Sequence, residues 1–271
     1  MAGMYNHLPR LANASPYLLL TLTALFWAGN AVMARALHNL LPAATMAFWR
    51  WVLALLLLFP FVLRPMYEQR TLLRDNWVRL ALLGVLGVGC YNTFLYAALQ
   101  TTTATNGVLI NSMTPLLIVV IGRALFGVRM THRQQVGIML SLAGVVGIVS
   151  RGDISVLVQL DFNHGDLLLI GGALSWALYT VLLRWRPAGI STLAFLGASV
   201  VGGIVLLMLP LYLVELATGR VAVWNAATGA GMVYFAVFPS ILAYLFWNRG
   251  VQQVGANRAG LFLYLVPVFG I

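Results

Sequence analysis

Leu18 to Arg35, LLLTLTALFWAGNAVMAR, returns 149 residues later as Leu167 to Arg184, LLLIGGALSWALYTVLLR. Nine of the eighteen aligned positions are identical: Leu18/Leu167, Leu19/Leu168, Leu20/Leu169, Ala24/Ala173, Leu25/Leu174, Trp27/Trp176, Ala28/Ala177, Val32/Val181 and Arg35/Arg184. Leu and Ala match often by chance in an apolar chain. A shared Trp-Ala pair followed by an Arg at a fixed distance does not. Each stretch is apolar enough to be the body of a membrane-crossing helix, which needs about 20 residues. A helix copied at a fixed offset marks an internal duplication, and a duplication governs every other reading of the chain.

Composition sets the solvent. Of 271 residues, 61% are hydrophobic and 8% charged, with mean hydropathy +0.91. Soluble chains carry about 25% charged residues, so most of this chain must face lipid. The net charge of +10 does not point to nucleic acid, because the basic residues, all sixteen of them Arg, sit in short segments between apolar runs. That placement is a topology signal. The single cysteine, Cys90, excludes an intramolecular disulfide and a multi-cysteine metal site. Arg10 precedes the first apolar run without a small-residue cleavage pattern, so that run reads as a retained helix rather than a signal peptide.

Spans are expected near 17–37, 42–63, 76–99, 104–125, 131–150, 165–185, 190–214 and 226–250, with a ninth beginning near Ala256 and still running at Ile271. Pro16, Pro42 and Pro65 mark ends, Arg-Gly-Asp at 151–153 closes helix five, and Pro187-Ala188-Gly189 separates helices six and seven. With the N-terminus inside, twelve arginines (10, 64, 70, 74, 79, 123, 129, 133, 184, 186, 249 and 258) fall on cytoplasmic segments, against Arg35, Arg151 and Arg220 outside. Four of the six acids, Asp153, Asp161, Asp166 and Glu215, lie on the outer side. This positive-inside bias places the N-terminus in the cytoplasm.

The repeat extends beyond its first helix. Pro42 aligns with Ser191, and at an offset near 152 Phe94/Phe246, Gln100/Gln252, Ala104/Ala256, Leu109/Leu261 and Pro115/Pro267 coincide. The unit is five helices, residues 1–150, followed by a second copy from 151 to 271. Five is odd, so the second copy enters the membrane from the opposite face. Such inverted repeats are typical of secondary transporters, whose substrate site lies between the copies near the midplane. The expected fold is therefore an all-α polytopic membrane protein of ten helices, with the rest of helix nine and a tenth helix expected beyond Ile271.

No Asp, Glu, Lys or His lies deep in a predicted span, so a carboxylate-based proton relay or sodium site has no residue to use, while a sodium site of backbone carbonyls and Asn or Ser oxygens stays open. There is no Walker sequence, no metal-ligand cluster and no nucleophile with a nearby base. An enzyme is not expected, and no cofactor or metal. Arg50 is the one deep charge, about 12 Å along helix two from Pro42. It reads either as a clamp for a substrate carboxylate or, more simply, as a side chain held against carbonyls or snorkelling to an interface between Trp49 and Trp51.

Aromatic and amide residues make the better site. Trp27 and Asn30 share a face of helix one, and Trp176 and Tyr179 hold the equivalent positions in helix six. Tyr91, Asn92 and Tyr96 follow the glycines Gly84, Gly87 and Gly89 in helix three, which read as close helix contacts or a flexible point. Asn111 lies in helix four, Tyr244 and Trp247 in helix eight, and Tyr264 before Pro267 in helix nine. Together they suit a cavity that stacks flat rings and satisfies polar groups without a fixed charge. The simpler alternative is that the amides join helices and the rings sit at the membrane interfaces.

With these residues in view, the chain resembles the drug/metabolite transporter superfamily, in its EamA-type branch. The resemblance rests on ALFWAGNAVMAR at 24–35, PAATMAFWR at 42–50 and YAALQTTTATNGVLINSMTPLL at 96–117. Their second-half counterparts are ALSWALYTVLLR at 173–184 and NRGVQQVGANRAGLFLYLVP at 248–267. The wording is most similar to YddG-type aromatic amino-acid exporters. The resemblance implies ten helices in two inverted halves in a bacterial inner membrane and a cavity built by helices one, three, four, six, eight and nine. It also implies alternating access and export of Phe, Tyr, Trp and related amphipathic metabolites. The expected partners are that small-molecule substrate and the lipid bilayer, with no nucleic acid and a monomer as the working unit. Arg50 is replaced by Ser199 in the second half, so it is not a symmetric ligand. The competing readings are a proton-coupled multidrug or metabolite exporter of the same fold, and a non-transporting scaffold or sensor.

Overall fold

The structure, a computed structural model, describes residues 14–150, 153 and 163–270. Arg10, Arg151, Gly152, Asp161 and Ile271, used above for topology and boundaries, lie outside the described residues. The helices are α1 (Pro16–Leu37), α2 (Ala43–Glu68), α3 (Trp77–Ala98), α4 in two segments (Ala104–Ser112 and Thr114–Phe126), α5 (His132–Ser150), α6 (His164–Trp185), α7 (Thr192–Ala217), α8 (Ala226–Val254) and α9 (Ala256–Phe269). A short helix, Arg70–Asp75, links α2 to α3. No strand occurs among the described residues. Seven helices among them are long and apolar enough to cross a membrane: α1 to α4 and α6 to α8. Below, the end of the bundle where α1 starts is called proximal and the end where it finishes distal.

Several boundaries shift from the sequence expectation. Helix two runs through Pro60 and Pro65 to Glu68 instead of stopping at Pro65; in lipid, neighbouring helices and local adjustment satisfy the carbonyls a proline frees. Helix four breaks at Met113, because Pro115 can only sit in the first turn of a helix and so starts the second segment.

Helices α2 and α7 are antiparallel and cap each other. Pro42 has no side-chain acceptor for the orphan N–H groups at the start of α2. The Glu215 carboxylate, from the far end of α7, accepts from the N–H groups of Ala44 (2.9 Å) and Thr45 (2.6 Å) and from Thr45 Oγ1 (2.8 Å). At the proximal end Gln69, just past α2, donates to Gly189 O (3.0 Å) and accepts from Ser191 N (3.0 Å), while Ser191 Oγ caps α7. A carboxylate at a helix N-terminus satisfies both the open donors and the helix dipole.

The same reciprocity organises the centre. α1 packs on α8 and α9, and α6 packs on α3 and α4, the helices that the duplication equates. Both α3 and α8 contain a π-helical segment, at Gly84–Cys90 and Ala236–Leu242, again 152 residues apart. These wider turns offer carbonyls to side chains from other helices: Gly87 O accepts from Tyr244 Oη (2.5 Å) and Pro239 O from Trp27 Nε1 (3.2 Å). Gly87 and Pro239 are themselves repeat-related. π-Bulges of this kind gather at functional sites. The α3 glycines are close-contact positions. A Cβ at Gly84 would lie 2.3 Å from Ser199 O, and one at Gly87 would lie 2.5 Å from the Tyr179 ring.

Candidate functional site

The repeat-related Trp27 and Trp176 meet edge to face, ring centres 4.9 Å apart. Tyr91 packs on Trp176 at 4.9 Å, and Tyr179, Tyr244 and Trp247 close round the pair from behind at 5.1 to 5.4 Å. Above these rings, toward the distal end, lies a cavity of about 440 Å³, within the range of about 300–1,000 Å³ usual for small-molecule sites. Of the residues singled out from sequence, Trp27, Asn30, Tyr91, Asn111 and Trp176 line it. Tyr244, Trp247 and Tyr179 form the second layer under its floor. Asn92 bonds Val88 O (2.8 Å) and Tyr244 Oη (3.1 Å), and so braces α3 against α8. Tyr264 stands apart, packed with Val119, Ile138 and Val145.

Asn30 and Tyr96 form a hydrogen bond (Tyr96 Oη to Asn30 Oδ1, 2.9 Å) whose counterpart in the second half is Tyr179 Oη to Asn248 Oδ1 (2.7 Å). The amide and the phenol have exchanged places between the copies, which preserves the bond and hides it from an identity count. In the first half Arg50 completes the group. It donates to Tyr96 Oη (2.5 Å), Asn30 Oδ1 (3.1 Å) and, through Nε, Ser240 Oγ (2.5 Å), and its guanidinium lies over the Trp51 ring at 5.4 Å.

This overturns the interfacial reading of Arg50. The side chain is 1% exposed and Trp51 is fully buried against Tyr244. Only Trp49 sits at the surface, with Tyr212 and Trp224. Position 50 faces three neighbouring helices that each present an oxygen, so the guanidinium has no need to reach out of the bundle.

A second cavity, about 500 Å³, opens at the proximal end among Phe126, Arg129, Thr180, Arg184, Asn257 and Arg258. Arg35 lines the distal cavity and Arg184 the proximal one, so the repeated arginine marks both mouths. Arg35 also donates to Leu99 O (2.8 Å) and Thr102 O (3.3 Å), whereas Arg184 lies over the Phe126 ring at 5.1 Å.

Between the cavities Ile118 of α4 is fully buried with Ala177 and Val181 of α6. It also lies against α9: a Cβ at Gly260 would come 3.1 Å from Ile118 Cδ1. The repeat equivalents of this packed layer are Gly270 for Ile118, Ala28 for Ala177 and Val108 for Gly260. All three line the distal cavity. At each end, therefore, α4 offers the bulky side chain (Ile118, Val108) and α9 the glycine (Gly260, Gly270). Sequence reasoning missed this layer because it weighed polar residues, and this layer is apolar.

One carboxylate is buried near the distal mouth. Asp166 accepts from Thr102 Oγ1, from Asn106 Nδ2 (2.8 Å) and from the Asn163 N–H (2.9 Å), which ties the start of α6 to the α3–α4 turn. All its visible partners are structural. Among the described residues no group of three or more His, Cys, Asp or Glu is placed to hold a metal.

A model of the EamA-like transporter family matches residues 14–150 and 163–271. The chain is 29% identical to the uncharacterized transporter YyaM of Bacillus subtilis, over 93% of this chain and 82% of that one. It is 30% identical to an uncharacterized transporter of Archaeoglobus fulgidus, over 95% and 87%. A WAT1-related chloroplastic protein of Arabidopsis thaliana is 26% identical over 89% of this chain and 66% of that one. A protein crystal structure superposes with a TM-score of 0.73 at 20% identity, covering 94% of this chain and 85% of that one, a likeness of fold.

Proposed function

The chain belongs to the EamA-like transporter family and is a multi-pass membrane transporter, and from that premise we propose that it exports aromatic amino acids and related small amphipathic solutes by facilitated alternating access. The observation that carries this reading is the distal cavity: two repeat-related indoles and a tyrosine form an aromatic floor, with amides of Asn30 and Asn111 beside it. Flat rings gain stacking and edge contacts on such a floor, and the amides serve a solute's polar end. Among the described residues no carboxylate lines either cavity, which is in keeping with a facilitator rather than a carboxylate-based proton relay.

In this reading each repeat is one five-helix unit, about 1–150 and 151–271, in an inner membrane, with the proximal end cytoplasmic. The cycle exchanges one seal for the other. Ile118 seated on Ala177 and Gly260 closes the proximal side while the distal cavity is open. Val108 seated on Ala28 and Gly270 would close the distal side in turn. The π-segments in α3 and α8 and the break at Met113 are where the helices would bend. Trp27→Ala and Trp176→Ala, each compared at equal amounts of folded protein, should lower counterflow of labelled phenylalanine about two- to tenfold, the effect of losing an aromatic contact worth about 0.5–1.5 kcal/mol. Undiminished transport in both would remove the rings from the site.

A further inference from the structure

We infer that the distal cavity selects solutes by charge, taking a carboxylate end through the Asn30 amide with Arg50 as its positioning residue and turning cations away. The inference rests on the transport reading above and narrows its substrate to ring-bearing acids and amino acids.

Hydrogen-bond accounting fixes how Asn30 is presented. Its Oδ1 already accepts two donors, Arg50 Nη1 at 3.1 Å and Tyr96 Oη at 2.9 Å. Arg50 also donates to Tyr96 Oη at 2.5 Å, so the phenol proton is committed to Asn30 and the triangle is closed. The amide therefore cannot flip. Its Nδ2 is left with no partner among the described residues, although Asn30 is 97% buried and forms part of the cavity wall. Two N–H donors aimed at a small, mostly apolar cavity call for an acceptor on the solute. A carboxylate is the strongest acceptor available, and a bond to a charged group is worth more than a neutral one.

The electrostatics point the same way. Arg50 is 1% exposed, and no carboxylate among the described residues lies within 4 Å of it. A buried cation without a counter-ion is costly in a membrane interior. An anion two bonds away through Asn30 would offset part of that cost. Arg50 lies behind the wall, bonded to Asn30, and the charged side chain in the cavity wall itself, among the described residues, is Arg35, again a cation. A low-dielectric cleft whose lining charge is positive favours an anion, and the Asp166 carboxylate near the mouth is already taken up by donors from Thr102, Asn106 and the Asn163 N–H.

The second half supplies an internal comparison. There Ser199 stands in place of Arg50, and the Asn248 amide nitrogen is buried without a partner. A cation bonded to the central amide is therefore found in the first half and not at the repeat-related position of the second.

The test uses three ligands of one shape: 3-phenylpropionate, 3-phenylpropanol and phenethylamine, titrated against the intrinsic tryptophan fluorescence of the purified full chain. The anion should bind at least about tenfold tighter than the alcohol, as a bond to a charged group implies, and the amine weakest. Asn30→Asp keeps an acceptor for Arg50 and Tyr96 but removes the donors. It should abolish the anion preference, lowering anion affinity by a clearly larger factor than alcohol affinity. Arg50→Gln should weaken the anion selectively, and Arg50→Lys should restore part of the preference, which a merely structural role would not do. Equal binding of all three by the wild type, no binding of the anion, or a parallel loss of anion and alcohol in the variants would overturn the inference. Charge preference without phenylalanine counterflow would sink the export reading instead, and counterflow without charge preference would sink this one.

Discussion

Ile118→Ala tests the proposed seal directly. The fully buried Ile118 side chain packs on Ala177 and Val181 and abuts Gly260. Truncating such an isoleucine to alanine costs about 2–5 kcal/mol of the conformation that buries it. If the seal opens in the other conformation, that cost falls on the proximally closed state alone. Part of the side chain stays covered by α4's neighbours after opening, so the low end applies, about 2 kcal/mol. At 1.4 kcal/mol per factor of ten, the equilibrium moves about 30-fold toward the proximally open state. Ile118→Val, at about 0.5–1.5 kcal/mol, should move it about two- to tenfold. Accessibility reads this out. In a Cys90→Ser background, Ala31→Cys in the distal wall would be labelled by a membrane-impermeant maleimide added at that side. Its labelling rate should fall in the order wild type, Ile118→Val, Ile118→Ala, while Thr180→Cys, buried in the proximal cavity wall, becomes more reactive. An Ile118→Ala protein that melts earlier but labels at both positions like the parent would mean that Ile118 is ordinary packing, and the seal would be refuted.

Three further outcomes follow from the geometry. Glu215→Ala leaves the α2 N-terminus without its acceptor and should cost about 1–2 kcal/mol, seen as a lower melting temperature, with Gln69→Ala showing a similar loss at the opposite end. Asp166→Asn puts an amide where three donors converge, and should lower thermal stability by about 1–3 kcal/mol with little effect on solute binding. Gly87→Ala drives a methyl into the Tyr179 ring and should cost about 1–3 kcal/mol, whereas Gly229→Ala, with open space at that position, should be neutral in the same melting assay.

The order of helices was readable because lipid leaves few options: long apolar runs, prolines at most ends, and Trp27 repeated as Trp176. That pair does meet at the centre of the bundle. Other repeated features were invisible as letters. GVLGVGC at 84–90 and AVFPSIL at 236–242 share little sequence, yet both wind as π-helix, because their freed carbonyls are taken by side chains from distant helices. The Asn30–Tyr96 and Tyr179–Asn248 bonds are the same bond with its partners exchanged, which only geometry reveals. Arg50 was legible as an oddity but not in its setting, since its three oxygen partners come from residues 30, 96 and 240. The apolar seal carries no chemical signature and emerges only when a contact on one side is mapped through the repeat onto a gap on the other.

The central claim is that the cavity between the two halves carries aromatic amino acids without ion coupling. Counterflow into proteoliposomes loaded with unlabelled phenylalanine, tryptophan, threonine or a sugar phosphate, with labelled phenylalanine outside, tests it most directly. The account predicts accumulation of label with the aromatic loads alone, unchanged when the proton gradient is dissipated. Accumulation that collapses with the gradient, or none with any amino acid inside, would contradict it.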